Sequence, residues 1–513
     1  MDENTTPWIQ ILQLDEPSLK DNTADAERLL QALKSNLNIP AIHIDLDLLK
    51  ILPSILRDAQ FNLRCVLFKD KHQWVLTDIS AASDSQISAG LAVDLGTTRV
   101  VLRLLDLATG RPLAQSAFDN PQESIGPDVL SRIHFVEKEG GLRHLNEIIV
   151  SGLNGAIVDL CASQNLKTED INALAVAGNT TMTHLLMGLN PRWMIREPYI
   201  PVINTPGVIK ADALGLQVNP RARVLVFPNI GSYFGGDLIA GILFSKIYQG
   251  KQTRILVDVG TNAEVVLGNE NWLIACAGAA GPALEGGVTR MGTTAGPGVI
   301  DQITVDPDTL AFRIHTINDL APTGICGSGV IDLAAQLFLN GMIDVRGKLL
   351  PAVCGSKIKK IEGLWHLVVV PAESSASGAD LTISQADLDS LIRSKAAMYT
   401  ILETITGSVG ITPQQLEAFY VAGTFGSFIN SDSAISIGML PDLPRDRYHS
   451  LGNSSLGGAT LALQSSAEHD EIHQIRERIT YLELNVNQDF MNRFSAAKFL
   501  PHTNLSLFPS VKP

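Results

Sequence analysis

The sequence predicts an α/β protein in which one α/β unit occurs twice, behind a small N-terminal α/β domain. Three observations carry that reading. Leu91-Ala-Val-Asp94-Leu-Gly96-Thr97-Thr98, followed by Arg99-Val-Val-Leu, is an apolar run, a tight Asp-x-Gly-Thr turn and a second apolar run. Ile255-Leu-Val-Asp258-Val-Gly260-Thr261-Asn262-Ala-Glu264-Val-Val-Leu repeats it 164 residues later. Ala175-Val-Ala177-Gly178-Asn179-Thr180-Thr181 likewise has a counterpart in Val421-Ala422-Gly423-Thr424-Phe425-Gly426. The order is kept: Gly178 follows Asp94 by 84 residues and Gly423 follows Asp258 by 165. The second copy therefore carries an insertion of roughly eighty residues, and self-similarity in fixed order marks a duplication.

Taken in order, residues 1–88 form the small domain. Trp8-Ile-Gln-Ile-Leu-Gln-Leu alternates as a strand does, and Thr23 is placed to cap a helix with Asp25 and Glu27 in its first turn and Leu29, Leu30, Leu33 and Leu37 on one face. The small, polar Ser80–Ser88 stretch links into the first hairpin. The first repeat spans 89–250. In it, 142–160 shows one helical apolar stripe, Asn179 or Thr180 caps a helix containing His184, and Gly235-Gly236-Asp237 opens another. His184 reads chiefly as a helix residue with a satisfied hydrogen bond. Gly235 to Asp237 is either a phosphate-side floor or a turn with an Asp cap.

The second repeat spans 251–462 with its insertion. Glu285, in the glycine-rich bend Cys276–Gly287, is a candidate for positioning an attacking or magnesium-bound water, or a plain cap or ion pair. The loop Gly324-Ile-Cys326-Gly327-Ser328-Gly329 runs into a helix, so its N–H groups suit an anion; a tight strand-to-helix turn is the alternative. Ser384 with Asp387 reads as a capping box for a long helix whose Lys395 either reaches adenosine or snorkels to the surface. Residues 463–513 are a C-terminal helix and tail packing back on the core. His469 and His473 there lack the zinc-protease pattern and read as a solvated helix face.

In the hairpins themselves, Gly96 lets the backbone approach closely and tolerates positive φ, while successive turn N–H groups form an anion-binding concavity. Asp94 and Asp258 stand where each can hold Mg²⁺ through its water shell. One such hairpin is commonplace; two in one chain are not.

The 513 residues carry a net charge of −14 with no basic block, which argues against nucleic acid as a main partner. The acidic start lacks a signal-peptide pattern, and no uninterrupted apolar run of about eighteen residues is present, so no membrane partner is expected and the cytoplasm is the expected compartment. Cys65, Cys161, Cys276, Cys326 and Cys354 are scattered, without cluster spacing, and read as reduced buried thiols.

The paired Asp-Gly-Thr hairpins and late glycine turn resemble the nucleotide cleft of the acetate-kinase, sugar-kinase, Hsp70 and actin superfamily, an RNase H-like fold. The resemblance implies ATP and Mg²⁺ gripped by both hairpins: Asp94, Gly96, Thr97 and Thr98 from one, Asp258, Gly260, Thr261 and Asn262 from the other. Gly423 would lie by adenosine, with Thr424 beside it in sequence; Asp94 and Asp258, and Glu285 if it is more than a cap or ion pair, are the catalytic candidates.

Ala177 to His184, Cys276 to Gly287, Gly324 to Gly329, Val421 to Phe428 and the closing Phe499-Leu-Pro-His502 together resemble one family, the reductive activators of corrinoid proteins. Residues 8–85 look like that family's middle domain. The resemblance implies an ATPase that assists reduction of Co(II) to Co(I) in the corrinoid (cobalamin) protein of a methyltransferase system. Typical members carry an N-terminal ferredoxin-like domain with an iron–sulfur cluster. The cysteines here do not supply one, so no cluster is expected on this chain; either the electron comes from a separate ferredoxin-like protein or reductase, or this chain only remodels the corrinoid protein with ATP. A homodimer stays open. Two alternatives remain on the same fold: a small-molecule kinase, and an activator of radical dehydratases. The latter needs two cysteines sharing a cluster across a dimer, with Cys276 and Cys326 as the candidates.

Overall fold

The computed structural model describes residues 8–71, 73–260, 263–278, 289–423, 430–482, 484 and 488–512, with 488 and 489 by backbone only. It divides into two compact units, Met1–Lys246 with Ser454–Arg478, and Ile247–Asn453 with Ile479–Pro513.

In the first unit, residues 9–81 make a four-stranded sheet in the order Ile9–Gln13, Asn62–Asp70, Gln73–Ala81, Ile42–Ile44, with helices Asp25–Leu37 and Leu46–Asp58. Thr23 does not cap the first helix: Ala24 occupies that position, and the Thr23 hydroxyl donates to Asp21 instead. This domain is fastened to the rest of its unit by polar contacts, two of them buried and one partly exposed. Trp8 Nε1 donates to Leu463 O, Arg223 pairs with the buried Asp45 at 2.7 Å, and Arg221 pairs with Asp78 at 2.8 Å.

The six-stranded sheet of the first unit runs Pro112–Asp119, Arg99–Asp106, Ala89–Leu95, Ile171–Gly178, Arg223–Val226, Gly207–Lys210. The first three strands are antiparallel; Ile171–Gly178 and Arg223–Val226 join parallel to Ala89–Leu95. Burial follows position. The central strand Ile171–Gly178 is buried at every residue, as a strand covered on both faces must be, while the edge strand Pro112–Asp119 is largely exposed. Helix Gly141–Ser163 buries Leu145, Ile149, Leu153, Ile157 and Leu160, a stripe at helical spacing that joins the core under this sheet. By length and composition it is apolar enough to span a bilayer, which the interrupted sequence pattern did not suggest, but that stripe is spent on the core.

The second unit repeats the plan. Leu273–Gly278, Ala263–Gly268 and Arg254–Val259 are antiparallel, and Ala418–Ala422 and Tyr448–Gly452 join parallel, with Ile479–Tyr481 added at the far edge. Even the register is duplicated: Asp94 lies opposite Ala177, and Asp258 opposite Ala422, each alanine directly preceding its glycine turn. The inserted chain folds as two three-stranded sheets, within residues 299–325 and 358–384. Helix Gln385–Ser408 opens with the expected box: Asp387 N–H donates to Ser384 Oγ at 3.1 Å, and Ser384 N–H to Asp387 Oδ2 at 2.7 Å.

Helix Ser454–Gln464, expected to close the second half, belongs to the first unit. The cause is Gly457-Gly458. A Cβ on Gly458 would stand 2.1 Å from Ala240 O and one on Gly457 2.6 Å from the Phe244 ring, so only bare backbone lets this helix seat on Gly236–Ser245. The following helix, Ala467–Arg478, corrects a second expectation. His469 is not solvated: it is buried against Trp8 and Phe68, with its ring nitrogens facing Lys69 O and Ala462 O. Burial holds its pKa down at about 4.

Candidate functional site

Asp94 ends the strand Ala89–Leu95 half-buried, and Ser455 Oγ donates to its Oδ1 at 2.8 Å. The close seating of helix Ser454–Gln464 is what delivers that hydroxyl. The turn that follows has its carbonyls taken. Asn120 Nδ2 donates to Gly96 O at 2.9 Å, Arg132 Nη2 to Thr97 O at 2.7 Å, and the Asn120 N–H to Thr98 O at 2.7 Å. Gly96 is required for closeness rather than for positive φ: a Cβ there would sit 2.2 Å from Arg99 O.

The glycine turn beside it is tied in. Asn179 caps helix Thr180–Leu186 by accepting from Met182 N–H at 3.0 Å, and its Nδ2 donates to Thr97 Oγ1 at 2.9 Å. Gly235 closes on the same point, since a Cβ there would lie 2.5 Å from Asn179 Cα, and Gly236 begins the next helix. The cap of that helix is Gly235, not Asp237, whose Oδ1 accepts from Leu238 N–H. His184 is fully buried with both nitrogens used. Nδ1–H donates to Thr180 O at 2.7 Å, and Nε2 accepts from Val202 N–H at 3.2 Å, which fixes the neutral tautomer; burial lowers its pKa. It is a structural histidine.

In the second unit Asp258 also ends a strand, half-buried, with Glu264 opposite it in the ladder. Gly423 follows Ala422 at φ +84°, where side chains are strained, and a Cβ would come 3.0 Å from Asp258 Oδ1. Gly260 is exposed. Thr261, Asn262, Glu285 and Thr424 lie outside the described residues.

Lys395 and the Gly324–Gly329 loop are both buried. Lys395 is fully buried, neither snorkelling nor reaching outward: its ammonium donates to Phe499 O at 2.6 Å and Pro501 O at 2.7 Å, and burial drives its pKa well down. Gly324, Gly327, Ser328 and Gly329 are all buried, with Ser328 Oγ donating to Asp301 O and a Gly329 Cβ placed 2.6 Å from Ile300 O. That is the tight strand-to-helix turn, packed on the strand Val299–Val305.

Among the described residues no three His, Cys, Asp or Glu side chains gather closely enough to hold a metal by themselves. The set fits Mg²⁺ only in its nucleotide-bound form, one strand-end carboxylate acting through water while phosphate supplies the other oxygens. All five cysteines are buried and without a disulfide. Burial raises the Cys65 thiol to about 12 and Cys161 to about 11, as for inert thiols. Cys276 and Cys326 are 0% and 3% exposed, which does not fit a cluster shared across a dimer surface.

Sequence reasoning missed Ser455, Asn120 and Arg132. Ser455 had a signal in the small-residue run Leu451–Ala459. Arg132 had a fainter one, a lone cation among Leu130, Ile133, Phe135 and Val136.

The duplicated sheet, with an aspartate and a hairpin glycine at each equivalent strand end, defines an ATPase-type fold of the acetate-kinase, sugar-kinase, Hsp70 and actin class. Three family models match in succession: the RACo linker region over residues 5–86, the RACo middle region over 89–250, and the C-terminal ASKHA domain of RACo over 252–512. The designation "middle" thus falls on 89–250 rather than on the N-terminal domain. The corrinoid activation enzyme RamQ of Eubacterium limosum is 32% identical over 79% of this chain and 69% of its own length. The [Co(II) methylated amine-specific corrinoid protein] reductase of Methanosarcina barkeri is 23% identical over 79% of this chain and 75% of its own. A solved reductive activator for corrinoid, iron–sulfur protein superposes with TM-score 0.88 at 36% identity, covering 100% of this chain and 82% of that one. The chain belongs to the RACo family of corrinoid-protein activators.

Proposed function

We propose that this protein uses ATP to bring an inactive Co(II) corrinoid protein of a methyltransferase system to Co(I), the electron coming from a separate low-potential one-electron donor such as a ferredoxin-like protein. The balance is one electron added to cobalt and one lost by the donor. The observation that carries the reading is the first turn: an aspartate oriented by Ser455, beside a loop whose three carbonyls are occupied. Such a loop offers N–H groups and hydroxyls to phosphate. Family membership supports the corrinoid protein as partner.

The physical need for ATP is plain. A climb of ~0.2 V for one electron costs about 5 kcal/mol. Shifting a two-state equilibrium from 1:99 to 99:1 takes about 5.5 kcal/mol of differential binding. A nucleotide-driven change of conformation is therefore of the right size. Mg²⁺ would be held through water by Asp94, and by Asp258 within its own unit, and would neutralise phosphate charge. Ser455 keeps the Asp94 oxygen aimed, and Gly423 keeps backbone beside Asp258. The reduced, buried thiols suit a cytoplasmic setting.

Phosphate release from ATP tests this. Hydrolysis stimulated severalfold by a Co(II) corrinoid protein and not by sugars or small carboxylic acids is expected. Transfer of the γ-phosphate to a metabolite would replace the reading with a kinase.

A further inference from the structure

Arg132 is fully buried, yet it pairs with no carboxylate among the described residues. Nε donates to Gly126 O at 2.9 Å, Nη1 to Gln122 Oε1 at 3.1 Å and Nη2 to Thr97 O at 2.7 Å; Met182 sulfur lies 3.1 Å from Nη1. Glu123 and Asp128 act on it only through space. A buried guanidinium whose direct partners are all neutral acceptors, with carboxylates acting only at a distance, keeps part of its charge uncompensated, which is costly unless something more negative comes near.

The direction in which that charge acts follows from the peptide plane. In a trans peptide the C=O and the N–H of the same unit point opposite ways. Gly96 O points at Asn120 and Thr97 O at Arg132, so the Thr97 N–H points away from Asn120 and the Thr98 N–H away from Arg132. Neither N–H meets an acceptor among the described residues. Behind the turn stands a cation, and on the sides turned from Asn120 and Arg132 stand two donors.

We propose that Arg132 is a positioning residue for nucleotide phosphate: it holds the Gly96–Thr98 turn with its amides facing the ligand and supplies the buried positive charge that phosphate compensates. The inference rests on the ATP-binding reading above and adds to it the residue that sets phosphate affinity. Asn120 shares the geometric task; only Arg132 supplies charge. The charge is felt through the turn, without contact with the ligand.

The test is calorimetric titration of the full chain with ATP, ADP and adenosine. Arg132→Met should weaken ATP at least tenfold and ADP somewhat less, and leave adenosine within twofold; Arg132→Lys should recover part of the ATP affinity. Because Arg132→Met removes several hydrogen bonds, a gentler pair runs beside it. Gln122→Glu sets a carboxylate against Nη1 and cancels the charge, whereas Gln122→Met removes the same Gln122 donation to Leu145 O without adding charge. ATP affinity should fall at least fivefold further in Gln122→Glu than in Gln122→Met. Equal losses for ATP and adenosine, or equal ATP affinity in the two Gln122 variants, would overturn the proposal. A wild-type chain that binds no ATP would instead overturn the reading beneath it.

Discussion

Ser455 Oγ donates a hydrogen bond to Asp94 Oδ1 at 2.8 Å, although 361 residues of chain separate the two. The contact helps to orient Asp94 at its strand end. Ser455→Ala removes a bond to a charged acceptor, an effect of about 1.5–3 kcal/mol. MgATP affinity should fall at least tenfold, read by titration calorimetry, while adenosine affinity holds. Unchanged MgATP affinity would mean that Asp94 takes no part in binding.

The two hairpin glycines should separate. Gly96→Ala drives a Cβ into Arg99 O at 2.2 Å and the turn cannot close, so ATP binding should drop at least tenfold. At the exposed Gly260 a Cβ meets no described atom within 4 Å. Gly260→Ala should therefore fold normally, with a stability change within about 0.5 kcal/mol, checked by urea unfolding.

Lys395→Met strips two buried carbonyls of their donor, costing about 2–4 kcal/mol in total. The expected result is faster proteolysis in the tail around Phe499–Phe508, with ATP affinity kept within twofold. Weakened ATP binding with an intact tail would restore Lys395 to the nucleotide.

Stability should depend on pH through the buried histidines. His469, held down to about 4, and His184, also lowered, bind protons more readily when unfolded. The contribution of each is fully present above the unfolded value of about 6.5 and is lost as pH falls toward the folded one. For His469 the loss between pH 7 and pH 5 is about 2 kcal/mol. Urea midpoints at the two pH values should show it, and His469→Gln should flatten the slope by that amount.

Much of this was legible in the sequence because it is local. The Asp-x-Gly-Thr turn after Asp94, a cap at Asn179 or Thr180 and a Ser384–Asp387 box are each set within a few residues; the first and last formed as read, and Asn179 is the cap. The register that sets Asp94 against Ala177 and Asp258 against Ala422 is the structural form of the sequence repeat, seen only in the sheet. What escaped depends on distant packing. Arg132 reaches Thr97 across 35 residues, and Lys395 reaches Pro501 across 106. Neither partner is a side chain, so no charge or motif announced the pair. His469 looked solvated because the helix Ala467–Arg478 is polar; the aromatic wall of Trp8 and Phe68 that buries it lies some 400 residues away in sequence.

The central claim is tested most directly by anaerobic visible spectra of a Co(II) corrinoid protein with a low-potential reductant and this protein, with and without ATP. The account predicts a Co(I) band that grows only when ATP is present and that is absent with Asp94→Asn or Asp258→Asn. A Co(I) band that grows equally without ATP, or equally with both aspartates replaced, would contradict it.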